Sequence, residues 1–139
     1  MKEIKANLKD TDRIKVTYNK NEVDMSISDF KNSLRGYKIY KALITQSGTD
    51  APTAIVLENT LSGDLTWSYN TVGVYVATLA GEFTADKTFI FTGQVATDTV
   101  VSTNRINVDS ITLRTYDISS AGLTDVRLSN NSIEIKVYD

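Results

Sequence analysis

The chain has 139 residues and a mass of 15.4 kDa, with 41% apolar and 23% charged residues, which suits one folded domain and leaves little room for two. It contains no cysteine and no histidine, which excludes disulfides, thiol catalysis, a Ser-His-Asp centre and the commonest zinc ligand. A net charge of −2 argues against nonspecific nucleic-acid binding, which needs a dominant basic surface.

In chain order, the start MKEIKANLKD places charges where a secretory signal needs an apolar stretch, so synthesis in a cytoplasm without a signal peptide is expected. Arg13–Asn19 alternates Ile14, Val16 and Tyr18, residues 19–21 can turn the chain, and Glu22–Ile27 alternates Val23, Met25 and Ile27. This pattern predicts a β-hairpin. Ser26 or Ser28 can cap a short helix through Leu34, with Ile27, Phe30 and Leu34 on one face and Arg35-Gly36 ending it. A hairpin plus one short helix cannot bury enough apolar surface alone. The segment must therefore lean on the main body, on another copy of the chain or on another protein, and Ile14, Val16, Val23, Ile27, Phe30 and Leu34 are the candidate contact residues.

From residue 37 onward strands succeed one another: Lys38–Gln46, Thr53–Glu58, Leu65–Asn70, Val72–Leu79, Lys87–Thr92, Thr99–Val108, Ser110–Tyr116 and Ser132–Tyr138. Threonine (18), valine (12) and isoleucine (12) give 42 β-branched residues, which suit a pleated surface. The clearest strand is the last, with Ile133, Ile135 and Val137 on one face and Glu134 and Lys136 on the other. The expected fold is all-β: an antiparallel β-sandwich or jelly-roll-like domain over 37–139, preceded by the hairpin–helix segment 1–36. Charge divides in the same region, with +4 over residues 1–41 and −6 over residues 42–139. The longest apolar-leaning run, Val72–Ala80, is far shorter than the roughly 20 residues of a membrane helix, so no membrane partner is expected.

Three aromatics, Trp67, Tyr69 and Tyr75, are candidates for a sugar- or surface-binding platform; the competing expectation is that they fill the sandwich core. Acid–base chemistry would fall to Glu58, Asp64, Glu82, Asp86, Asp109 and Asp117, all at predicted strand ends or turns, and no pair is singled out by spacing. Asp117 and Asp125 could in principle hold calcium, but no EF-hand pattern is present. The seven glycines are isolated and form no phosphate loop; Gly73 is a candidate bulge position. These readings make the chain a non-enzyme with no cofactor, no metal and no catalytic residue.

The segment YKIYKALITQSGTDAPTAIVLENTL at 37–61, with TWSY at 66–69, GVYVATL at 73–79, KTFIFTG at 87–93 and IEIKVYD at 133–139, resembles a group of small proteins of tailed phages and prophages of Bacteroidetes and of aquatic viruses. In that group a β-rich C-terminal module follows variable N-terminal segments. The resemblance implies a virion component: a head fibre, a capsid decoration or a tail-associated module. It supplies no catalytic or ligand residues. The expected partners are a capsid, portal or tail protein docked through residues 1–36, and further copies of the chain, with a homotrimer favoured by analogy. The alternative is a carbohydrate- or host-surface-binding module with a glycan as partner.

Overall fold

In the computed structural model, which describes residues 9, 11–18, 21–93 and 97–139, the chain forms two units, 1–37 and 38–139. In the first, β1 (Arg13–Tyr18) and β2 (Asn21–Ser26) pair antiparallel, with Ile14 opposite Met25 and Val16 opposite Val23. The expected turn includes residues 19 and 20, which lie outside the described residues, as do the side chains of Val16 and Tyr18. Charged residues occupy the other face: Arg13 Nε donates to Asp24 Oδ1 at 3.0 Å and Lys15 pairs with Glu22 at 3.4 Å. Both pairs are exposed and contribute about 0–1 kcal/mol each.

Ser26 rather than Ser28 caps the helix α1 (Ile27–Ser33), because its backbone is extended and its hydroxyl accepts from Asp29 N at 3.0 Å. The hydroxyl also donates to the Asp29 carboxylate at 2.7 Å, and that negative charge suits the first turn of a helix. Leu34 closes the helix, and Gly36 follows in the left-handed region with φ +67°. Of the proposed contact residues, Val23 and Leu34 are exposed, and Ile14 and Phe30 are half-buried. Ile27 is buried.

The second unit is the expected sandwich. One sheet has the order β4-β3-β11-β7, from β3 (Tyr37–Thr45), β4 (Thr53–Asn59), β7 (Thr88–Thr92) and β11 (Asn131–Tyr138). The other comprises β5 (Thr66–Thr71), β6 (Val74–Thr78), β8 (Thr99–Asn107), β9 (Ser110–Asp117) and the two-residue β10 (Gly122–Leu123). β8 pairs with β9 along its whole length. The opposite edge of β9 is shared by β6, over Ser110–Arg114, and β10, over Tyr116–Asp117. β10 was not expected, since two residues carry no periodicity. The pairs β3–β4, β5–β6 and β8–β9 each stay within one sheet and are antiparallel.

Alternation builds the core. Tyr40, Ala42 and Ile44 of β3 and Ile133, Ile135 and Val137 of β11 face Tyr75 and Ala77 of β6 and Ile111 and Leu113 of β9, with Phe83 and Leu128 closing the space from loops. Between Lys41 and Ala42 the β4 register shifts from Glu58 to Val56, so Leu57 bulges out of the ladder. Val72, expected within a strand, instead forms a turn with Gly73, and β6 begins at Val74. Gly73 has φ +63°, and a Cβ there would lie 2.6 Å from Thr124 N and 2.7 Å from Thr115 O. Only glycine fits. The register shift expected there falls just before it, between Tyr69 and Thr71.

Candidate functional site

The aromatic trio does not form a surface platform. Tyr75 has no exposed area, and Trp67 and Tyr69 are half-buried against the same core. The register explains this: Trp67 is opposite Ala77 and Tyr69 opposite Tyr75, so all three project between the sheets. The two tyrosine hydroxyls converge on Asp125, whose carboxylate accepts from Tyr69 Oη at 3.0 Å, Tyr75 Oη at 3.0 Å and Gly73 N at 2.7 Å. Burial and this carboxylate push the Tyr75 hydroxyl well above its ordinary pKa, and the same causes raise that of Tyr69. Gln46 Oε1 lies 3.0 Å from Tyr75 Oη and accepts from Val126 N at 2.7 Å, which anchors Val126 in its left-handed conformation at φ +60°. Sequence reasoning singled out Asp125 only as a possible calcium ligand, and its partners lie about fifty residues away.

The candidate acids go to separate places. Glu82 is buried and accepts from Ser62 N at 3.2 Å, from the Ser62 hydroxyl and from Lys38 Nζ at 3.1 Å. Burial alone would raise its pKa, but these donors outweigh it and hold the carboxyl below the usual range. Asp117 accepts from the Ser119 hydroxyl and the amides of Ser119 and Ser120, and pairs with Arg127, which also reaches Asp98 at 3.0 Å. Those donors, Ser119 first, lower its pKa. Asp109 accepts from Gly81 N at 2.7 Å, Asp86 occupies a left-handed position with φ 60°, and Glu58 pairs with Lys41 at 3.2 Å. Asp117 and Asp125 are each occupied by their own donors. Among the described residues no three His, Cys, Asp or Glu groups are placed to hold a metal, and no helix is long and apolar enough to cross a membrane.

A cleft of about 370 Å³ opens between the β4 and β5 margins of the sandwich, lined by Tyr40, Pro52, Ala54, Val56, Asp64, Leu65 and Trp67. Asn59 Nδ2 holds the Asp64 carboxylate at 3.2 Å. The Trp67 indole N–H is enclosed beside the Tyr40 hydroxyl without reaching hydrogen-bond geometry, and burial raises that hydroxyl's pKa.

The outer faces of the two sheets differ in chemistry. The β5-β6-β9-β8 sheet turns out Thr66, Ser68, Thr78 and Asn104, with a small apolar row of Val100 (50% exposed), Tyr116 and Leu123 (39%) toward β10. The other turns out large apolar side chains at both margins: Ile55 (60% exposed) and Leu57 (63%) on β4, and Phe89 (49%) and Phe91 (57%) on β7. Between them runs a charged row, in which Lys41 bonds Glu58 at 3.2 Å and Glu134 at 3.7 Å, and Glu134 bonds Lys136 at 2.9 Å. A shallow groove of about 200 Å³ lies between Leu57 and Phe91, with Lys41 and Glu134 in its walls. Sequence reasoning did not single out Phe89 and Phe91. The available signal was their pairing register: opposite Lys136 and Glu134, they must share the outward face of β11. Comparisons with protein-family models, curated proteins and solved structures give no match to this chain.

Proposed function

We propose that the chain is a non-enzymatic virion structural protein, of the head-fibre, capsid-decoration or tail-associated kind, assembled as a homo-oligomer. In this reading the hairpin–helix unit docks on a capsid, portal or tail protein and the sandwich is displayed. The observation that carries it is the interior placement of Trp67, Tyr69 and Tyr75: the aromatics best suited to a ligand platform are committed to holding the two sheets together. The hairpin–helix unit supports docking because it leaves Val23 and Leu34 in solvent within a stretch of net charge +4 over residues 1–41. Charge then orients the encounter and apolar contact supplies most of the affinity. Mass spectrometry of purified particles, with localisation of the chain by electron microscopy, tests the assignment. Recovery of the chain from infected cells but not from particles refutes it.

The cleft beside Trp67 favours one other reading, a carbohydrate- or host-surface-binding module, since it joins an aromatic wall to the Asp64 carboxylate. Glycan-array binding abolished by Asp64→Ala would support that reading, and an empty array would remove it.

A further inference from the structure

We propose that the outer face of the β4-β3-β11-β7 sheet is a self-association surface, on which a second copy of this chain packs about a two-fold axis. The proposal does not depend on a virion location. The face carries four large apolar residues, each about half-exposed or more, in two groups at opposite margins, whereas on the outer face of the other sheet the exposed apolar side chains form one smaller row, Val100 and Leu123 beside Tyr116, among hydroxyl and amide groups. An apolar sheet face of this kind is stable in water only when something covers it.

The charges say what covers it. Lys41 and Glu134 stand on the two adjacent central strands, one of each sign, and bridge them at 3.7 Å. A two-fold axis running along the strands between β3 and β11 exchanges those strands between copies. Lys41 of each copy then faces Glu134 of the other, so each charge keeps its partners within the chain and gains one more of opposite sign. The same rotation lays the β4 margin of one copy over the β7 margin of the other. Leu57 meets Phe91 twice across the axis, an aliphatic group on an aromatic ring, and the two shallow grooves between these residues close on each other. Strands aligned in this way are a standard geometry for stacked sheets. The complementarity is contained in one chain, and a foreign partner would have to reproduce the whole pattern. Such a contact closes with two copies, in place of the three-fold assembly implied by the resemblance to phage proteins.

Light scattering on the full chain at micromolar concentration should give twice the 15.4 kDa chain mass. A monomer or a trimer overturns the proposal. Charge reversal tests the axis itself. Lys41→Glu alone and Glu134→Lys alone each set like charges against each other in a homodimer, and each should weaken dimerisation at least about tenfold. An equimolar mixture of the two variants restores opposite charges at both contacts, so dimers should reappear, and as heterodimers. An intrachain role for the Lys41–Glu134 bridge cannot produce that recovery. Should either reversal unfold the chain by circular dichroism, Leu57→Asp at the exposed bulge serves instead. It should leave the fold intact and shift the mass to that of one chain, and an unchanged dimer overturns the proposal.

Discussion

Gly73→Ala isolates the part of the stability that depends on close backbone approach. Gly73 is left-handed at φ +63°, which costs an L-residue about 1–2 kcal/mol. The added methyl would also meet three backbone atoms, Thr124 N at 2.6 Å, Thr115 O at 2.7 Å and Thr124 O at 2.9 Å. None of these is the flexible end of a side chain, for Thr115 lies within β9 and Thr124 directly follows β10, and both are hydrogen-bonded: Thr115 N donates to Gly73 O at 2.9 Å and Thr124 N to Thr115 O at 3.0 Å. Overpacking of this kind adds about 1–3 kcal/mol. Moving the turn also strains the Gly73 N bond to Asp125, on which Tyr69 and Tyr75 depend. The expected loss is about 3–5 kcal/mol, or roughly 10–20 °C in Tm. Gly48→Ala is the matched control, because Gly48 is left-handed at φ +56° with nothing within 4 Å of its added Cβ, and should cost only about 1–2 kcal/mol. Urea unfolding of both variants gives the difference. Equal losses would refute the argument, since they would mean that the clash with Thr115 and Thr124 relaxes freely.

Trp67→Ala should cost about 3 kcal/mol, the lower end for an aromatic core truncation, because the indole is half-buried and its enclosed N–H goes with it; a loss below about 1 kcal/mol with strong iodide quenching in the parent would place the ring at the surface. Glu82 has a folded pKa below its unfolded one, so its contribution is complete above the ordinary glutamate value of about 4.3 and disappears as pH falls through the folded value. Glu82→Gln should accordingly lower Tm at pH 7 and flatten its fall on acidification, and parallel Tm–pH curves for variant and parent would contradict this. Deletion of residues 1–36 should leave a cooperatively melting β-domain, because the core residues of the sandwich all lie within 38–139; loss of the cooperative transition would make the N-terminal unit part of the fold.

Strands whose two faces differ were legible in the sequence. Ile133, Ile135 and Val137 alternate with Glu134 and Lys136, and only one register buries the apolar set. KTFIFT at 87–92 was legible as a strand but not as to direction, because Phe89 and Phe91 on one face and Ile90 on the other are all apolar. Its neighbour β11 decides, and that pairing is non-local. The helix cap was ambiguous for a local reason: Ser26 and Ser28 have the same side chain, their hydroxyls lie 3.0 Å apart, and only the extended backbone at Ser26 makes it the cap. The core role of the aromatic trio could be weighed from alternation, but the polar anchor of its two tyrosines could not. Asp125 follows a two-residue strand in a segment with no pattern, and it meets Tyr69 and Tyr75 only once β5, β6, β9 and β10 have assembled into one sheet.

The strand order also sets a schedule for folding on the ribosome. β3 opens the sandwich in sequence and β11 closes it, yet the two are neighbours at the centre of one sheet, with β4 outside one and β7 outside the other. Until β11 has left the exit tunnel, the apolar face of β3 has no central partner, and β7 has nothing to pair with in that sheet. The hairpins β5–β6 and β8–β9 can form during elongation, but the core they cover cannot seal. Closure is therefore a single late event that joins contacts about ninety residues apart, of the kind that makes β-sandwiches slow folders. A nascent chain stalled before Asn131 would hold Tyr40, Ile44 and Tyr75 in an unsealed core, a window in which chaperone capture competes with completion.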